Sequence, residues 1–214
     1  MAVARTPENM KNYFGQLRAY SYIDLVLLLI AAGANVREIA ICSLLWFGFL
    51  IYLEWLHKDK GRLRWPWAAW MGPWAAATIW AHSPAVVAFF IVCVAYTLKK
   101  HVPALASLSP LTNGAVKATL LLFVAAASAP FAVIVWAATA TRNLLGDMRD
   151  IEKDRSEHVY TIPVRLGLQR DIWWLYPLGL ASTTALWTMM AGLPLWVLAC
   201  AWIVEAATYR LTPR

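Results

Sequence analysis

Apolar residues gather in four long stretches, at roughly 20 to 56, 66 to 98, 115 to 146 and 172 to 209, with shorter polar segments between them. A helix rises about 1.5 Å per residue, so even 32 continuous residues would reach about 48 Å, well past a bilayer hydrocarbon core of about 30 Å. Each stretch also carries a breaker near its middle: Gly33-Ala34-Asn35, Ser83-Pro84, Pro130 and Gly192-Leu193-Pro194. The pattern predicts four helical hairpins, hence eight spans, in a single all-α polytopic membrane domain over residues 1–214. Several spans would be only about 15 residues long, which implies short or tilted helices.

Composition excludes other classes. The chain is 61% hydrophobic and 14% charged, whereas soluble domains average about 45–50% and about 25%. Disorder is excluded by the same hydrophobicity. Cys42, Cys93 and Cys200 lie far apart in apolar stretches without metal-ligand spacing, so they read as buried packing residues. The run from Leu25 to Ala34 looks like the core of a secretory signal, but the long segment before it, Asp24 at its start and the later spans make it the first span.

A net charge of +7 suggests a nucleic-acid partner until the charges are located. With eight spans, one face receives both termini and the loops after spans two, four and six, and it holds 18 of the 19 basic residues; only Arg37 falls on the other face. The positive-inside rule makes that face cytoplasmic, so the charge is topological and no nucleic acid is implied. The expectation is an integral protein of the cytoplasmic membrane with both termini inside. Asp24 and Glu205 are expected in the headgroup layer. Trp65, Trp67, Trp173 and Trp174 suit an interfacial belt. Two or three of the inner tryptophans (Trp46, Trp55, Trp70, Trp74, Trp80, Trp136 and Trp187) are candidates for a pocket, where aromatic faces stabilise a cation.

The chemically informative segment runs from Thr141 to Arg155, at the cytoplasmic end of span six. On a continuing helix Asn143, Asp147, Asp150 and Asp154 fall within about 60° of one face. Like charges at these spacings destabilise a helix, by a few tenths of a kcal/mol per pair, and a bound cation would reverse the sign. Hard oxygen ligands at a water-facing helix end suit Mg²⁺, which keeps several waters and takes one or two carboxylates together with substrate phosphates. The alternative is a solvated juxtamembrane loop of mixed charge, with Arg149, Lys153 and Arg155 in the same run.

Arg142, the Asp147/Asp150/Asp154 stripe and the following Glu157-His-Val-Tyr-Thr-Ile-Pro-Val-Arg-Leu-Gly167 run together resemble the second Asp-rich motif of the UbiA family of intramembrane prenyltransferases, over about 26 consecutive residues. In that family an Arg and DxxDxxxD precede a "TLPVRLG"-like segment. Tyr96-Thr-Leu-Lys99 resembles the family's Tyr/Leu-Lys element, and Arg18 its N-terminal Arg. The resemblance implies a UbiA-like bundle that binds an isoprenyl diphosphate with Mg²⁺ at the cytoplasmic face. Asp147, Asp150 and Asp154 would be its metal ligands and catalytic carboxylates. Arg62, Arg64, Lys99 and Arg142 would clamp the diphosphate, with Asn143, Tyr96 and His57 also in the substrate site. A lipophilic or aromatic acceptor would then capture the prenyl cation.

The chain departs from the family in three places. The first Asp-rich motif, of the type NDxxDxxxD, should stand at the end of span two, but Leu53, Glu54, His57 and Gly61 occupy its Asn and three Asp positions. Glu54 is either a ligand to a second ion or an i,i+4 partner of Lys58. His57 is a poor Mg²⁺ ligand, and as an imidazolium it suits a phosphate contact. The basic run Lys58, Lys60, Arg62, Arg64 is either a phosphate clamp or topological charge. The family usually has nine helices and the pattern here supports eight, and His158 stands where a Gly is common. Two further readings therefore stay open: a UbiA-type terpene cyclase, which captures the cation with its own double bonds, and a non-catalytic member that binds a prenyl lipid or a partner.

Overall fold

The structure, a computed structural model, describes residues 17–56, 65–98 and 102–211. Among the described residues it is all helical, with ten α-helices and no strand. They are α1 (Ala19–Ala31), α2 (Val36–Leu56), α3 (Ala68–Ala81), α4 (Ala85–Thr97), α5 (Ser109–Leu120), α6 (Ala129–Arg149), the short α7 (Ile151–Ser156) and α8 (Ile162–Arg165), α9 (Leu175–Met190) and α10 (Leu195–Tyr209). By length and composition one of them, α2, is long and apolar enough to cross a membrane; α1, α4 and α10 are shorter apolar helices.

The turns show why the breakers act where they do. Gly33 (φ 76°) and Gly192 (φ 64°) take the left-handed conformation that a side chain disfavours, and each lies between the two helices of a hairpin. Asn35 then starts α2 with a reciprocal cap: its Oδ1 accepts from the Glu38 N–H at 3.0 Å while Glu38 Oε2 accepts from the Asn35 N–H at 2.9 Å. In the third hairpin the break comes before Pro130. Residues 124–128 form the turn, Ser128 caps α6 through the Phe131 N–H at 3.3 Å, and Pro130 sits in the first turn of α6, where its missing N–H costs nothing.

Three of these turns are joined. Glu38 Oε1 accepts from the Ala125 N–H at 3.0 Å, and Arg37 donates to the Trp80 carbonyl at 2.7 Å. The first three hairpins are thus fastened together at one end of the bundle. α5 packs closely along α6, α2 along α3, and α9 lies between α6 and α1. Close approach of α5 and α6 requires Gly114, where a Cβ would stand 2.5 Å from the Trp136 carbonyl oxygen.

Charge and apolar surface are distributed inside out. Exposed large apolar side chains include Ile79 and Trp80 on α3, Val87 and Ile91 on α4, Val133 and Ile134 on α6, and Trp196 and Ile203 on α10. Asp24, Lys117, Arg142 and Glu205 are buried. Three expectations are corrected here. Cys42 and Cys93 are buried, but Cys200 is exposed on α10 and is not a buried packing residue. Asp24 and Glu205 belong to the bundle interior and not to a headgroup layer. Lys117 and Arg142, counted with the cytoplasmic loops, lie within α5 and α6 and are buried because they share a partner inside the bundle.

That partner is Asp24. Its Oδ2 pairs with Lys117 and, at 2.8 Å, with Arg142; its Oδ1 accepts from Thr183 Oγ1 and from Trp187 Nε1, both at 3.0 Å. One carboxylate thereby ties α1 to α5, α6 and α9. Glu205 on α10 accepts from Thr184 on α9 at 2.6 Å.

Candidate functional site

At the end of the bundle opposite the fastened turns, the start of α1, the ends of α2, α4 and α6, the start of α9 and the end of α10 enclose a cavity of about 410 Å³. Tyr96, Arg142, Asn143, Asp147, Asp150 and Asp154, all singled out in the sequence, line it. Its apolar wall comes from Trp46, Phe49, Leu50, Leu53 and Leu56, a single face of α2. His57, Arg62, Arg64 and Lys99 lie outside the described residues, as does Lys58.

The carboxylates are not on one continuous helix. α6 ends at Arg149, Asp150 has non-helical dihedrals (φ −112°, ψ 23°) and α7 starts anew. The break changes the partners. Arg149 Nε donates to Asp150 Oδ1 at 2.8 Å, a pairing of sequence neighbours that a regular helix would hold about 100° apart. Arg149 also donates to the Tyr209 hydroxyl at 3.0 Å and lies 4.7 Å from the Tyr176 ring centroid.

The segment after α7 folds back to brace Asp154. Thr161 Oγ1 donates to Asp154 Oδ2 at 3.2 Å, the Val159 N–H to the Asp154 carbonyl at 2.8 Å, and Arg155 to Gln169 and to the Leu168 carbonyl. His158 has φ 56°, a left-handed conformation that Gly adopts most readily. Ser109 Oγ donates to Asn143 Oδ1 at 2.9 Å, which fixes the amide at the α5 side of the cavity.

Glu54 stands on the other side. It is buried and pairs with Arg18 at 2.9 Å, and Arg18 lines the cavity. Arg142 lines the cavity as well, but its Nη1 is engaged by Asp24 and by Thr183 Oγ1 at 3.0 Å. Held there, it brings positive charge to the inner part of the cavity wall. Three further cations line the cavity: Arg149, Lys153 and, from the end of α10, Arg210.

Among the described residues no group of three or more His, Cys, Asp or Glu forms a ready cluster for a metal ion. Asp147, Asp150 and Asp154 nonetheless line one cavity, Asp150 with both carboxylate oxygens on Arg149, and hard oxygen donors of this kind suit Mg²⁺, which completes its shell with water and substrate oxygens and does not need an all-protein cage.

Sequence reasoning missed Arg149, Arg210, Tyr20, Tyr176 and Tyr209. Tyr209 stacks on Tyr176 with centroids 5.6 Å apart, and Tyr20 meets Tyr209 edge-on at 5.4 Å. Of the inner tryptophans, Trp46 alone lines the cavity. Trp70 and Trp74 pack with Tyr52 between α2 and α3, and Trp187 serves Asp24.

No protein-family model, no curated protein and no solved structure matches the chain.

Proposed function

We propose that the chain is a membrane-embedded prenyltransferase of the UbiA type, which binds an isoprenyl diphosphate with Mg²⁺ at the cytoplasmic face and transfers the prenyl group to a lipophilic or aromatic acceptor. The observation that carries the reading is the meeting of Tyr96 from α4 with Asn143, Asp147, Asp150 and Asp154 from α6 and α7 around one cavity, whose opposite wall is apolar and aromatic. A polar head and an apolar tail are the two ends of such a substrate.

Membrane embedding is supported by the inside-out surface. Apolar patches of this extent are not left to water, and ionisable groups within spans face the interior and pair with one another, as Asp24, Lys117 and Arg142 do. All four hairpins would lie in the bilayer, with the cavity end toward the basic loops.

In this reading Asp147, Asp150 and Asp154 hold the ion, which when bound neutralises charge on the diphosphate leaving group. Arg149, Lys153 and Arg210 supply the cationic side of the head-group site, and Arg18 stands across from them. Phe49, Leu50 and Leu53 keep water from the tail, and Tyr96, 5.8 Å from Phe49 between centroids, adds an aromatic face to that wall, of the kind that stabilises a cation. The resident Glu54–Arg18 pair favours a single-ion site.

The test is Mg²⁺-dependent diphosphate release from farnesyl or geranylgeranyl diphosphate by purified protein, with and without aromatic or lipid-alcohol acceptors. Release only with an acceptor supports the transferase. Acceptor-free release with a new hydrocarbon makes the chain a cyclase, and absence of Mg²⁺-dependent turnover under every condition refutes both.

A further inference from the structure

Trp46 lies at the inner end of the cavity. Counted along α2 it is the deepest lining residue, about 15 Å from Leu56 at 1.5 Å per residue; on α6 the deepest is Thr139, about 12 Å from Asp147. The Trp46 ring is held from two sides. Its Nε1 donates to Ser21 Oγ at 3.2 Å, and the Lys117 ammonium lies 5.2 Å from its centroid. Lys117 and Asp24, ion-paired and fully buried, are behind it.

We infer that Trp46 is the closed end of the tail pocket and sets the longest isoprenyl chain the protein accepts, with Ser21 and Lys117 as positioning residues for its ring. The inference rests on the prenyl-diphosphate reading above. A carbon–carbon bond of about 1.5 Å advances an extended chain by about 1.25 Å, so each four-bond isoprene unit adds about 5 Å. With the head group at Asp147 and Asp154, geranyl (about 10 Å) lies within both depths, farnesyl (about 15 Å) fills the α2 wall as far as Trp46, and geranylgeranyl (about 20 Å) overshoots both. Behind Trp46 stands the buried Lys117–Asp24 pair, and a tail that displaced it would separate buried charges, which is costly.

The experiment is a binding titration of the full chain in nanodiscs with Mg²⁺, using geranyl, farnesyl and geranylgeranyl S-thiolodiphosphates, whose carbon–sulfur bond resists ionisation. The wild type should bind geranyl and farnesyl at least about tenfold more tightly than geranylgeranyl, a difference of about 1.4 kcal/mol. Trp46→Leu should close that gap by strengthening the longest ligand. Ser21→Ala and Lys117→Met should narrow it as well; Lys117→Met keeps the Asp24–Arg142 pair. Equal affinity of the wild type for all three lengths overturns the inference and leaves the substrate reading standing. So does an unchanged gap in a folded Trp46→Leu protein or, if that variant fails to fold, in both milder variants. Failure of every thiolodiphosphate to bind overturns the prenyl-diphosphate reading itself and the inference with it.

Discussion

Arg18 and Glu54 are 36 residues apart in the chain and joined by a 2.9 Å charged hydrogen bond. The bond closes the gap between the start of α1 and the last turn of α2, and it draws to one side of the cavity two residues that the sequence singled out for different reasons. Arg18 reaches its place from a left-handed backbone (φ 49°), so the contact holds a conformation that costs about 1–2 kcal/mol elsewhere.

If Glu54 serves Arg18 and not an ion, Glu54→Gln should lower thermal stability by about 1–3 kcal/mol, the cost of weakening a buried polar contact. The Mg²⁺ concentration for half-maximal diphosphate release should not move. A Mg²⁺ titration of variant and wild type decides: a several-fold higher requirement in the variant would make Glu54 a ligand.

Within the carboxylate site, Asp147→Asn and Asp154→Asn should each lower Mg²⁺-dependent turnover by about a hundred-fold or more, since a lost ligand removes several kcal/mol of charge neutralisation. Circular dichroism should remain that of the wild type. Full activity in both variants would leave the Asp-rich stripe a charged loop.

Gly114 tests the packing of α5 on α6. An added Cβ would lie 2.5 Å from a backbone oxygen, which cannot swing aside as a side chain would. Gly114→Ala should force the helices apart and destabilise by about 1–3 kcal/mol. Gly72, with nothing within 4 Å of such a Cβ, is the control, and Gly72→Ala should be neutral or slightly stabilising. Thermal melts of the two detergent-solubilised variants should separate clearly.

What could be read in advance follows from what is local. The hairpins were legible because glycine and proline act on their own backbone: Gly33 and Gly192 turn the chain where their φ requires it. Asp147, Asp150 and Asp154 were legible as cavity residues because all belong to one short segment, but their geometry was not. A helical wheel assumes an unbroken helix, and the break at Asp150 is what brings Arg149 onto its neighbour. The buried ion cluster was illegible for the opposite reason. Asp24, Lys117, Arg142, Thr183 and Trp187 come from four helices spread over the chain, and each alone looks like a stray polar residue in an apolar run. Hydrophobic periodicity assigns such residues to span ends, because it contains no information on which distant partner would make burial affordable.

The cluster also makes the sharpest stability prediction, because its charges are unbalanced. Asp24 is one anion shared by two cations, and its four contacts reach three other helices. Asp24→Asn leaves Lys117 and Arg142 buried without the carboxylate that they share, with only Glu205, which is bonded to Thr184, to offset them, and removal of one partner from a buried ionic group costs about 3–5 kcal/mol. Lys117→Met has the reverse effect on balance. It leaves one anion with one cation, Arg142 at 2.8 Å, and fills the lysine's space with an apolar chain of similar length. The two variants delete adjacent members of the same ion pair, so a model in which that pair simply contributes a fixed energy expects equal losses. Charge balance expects Asp24→Asn to unfold the protein or lower its melting temperature sharply, while Lys117→Met stays within about 1.5 kcal/mol of the wild type, as a near-isosteric core change does. Thermal melts in the same detergent decide between them, and losses of similar size would mean that the excess positive charge is not what Asp24 is there to hold.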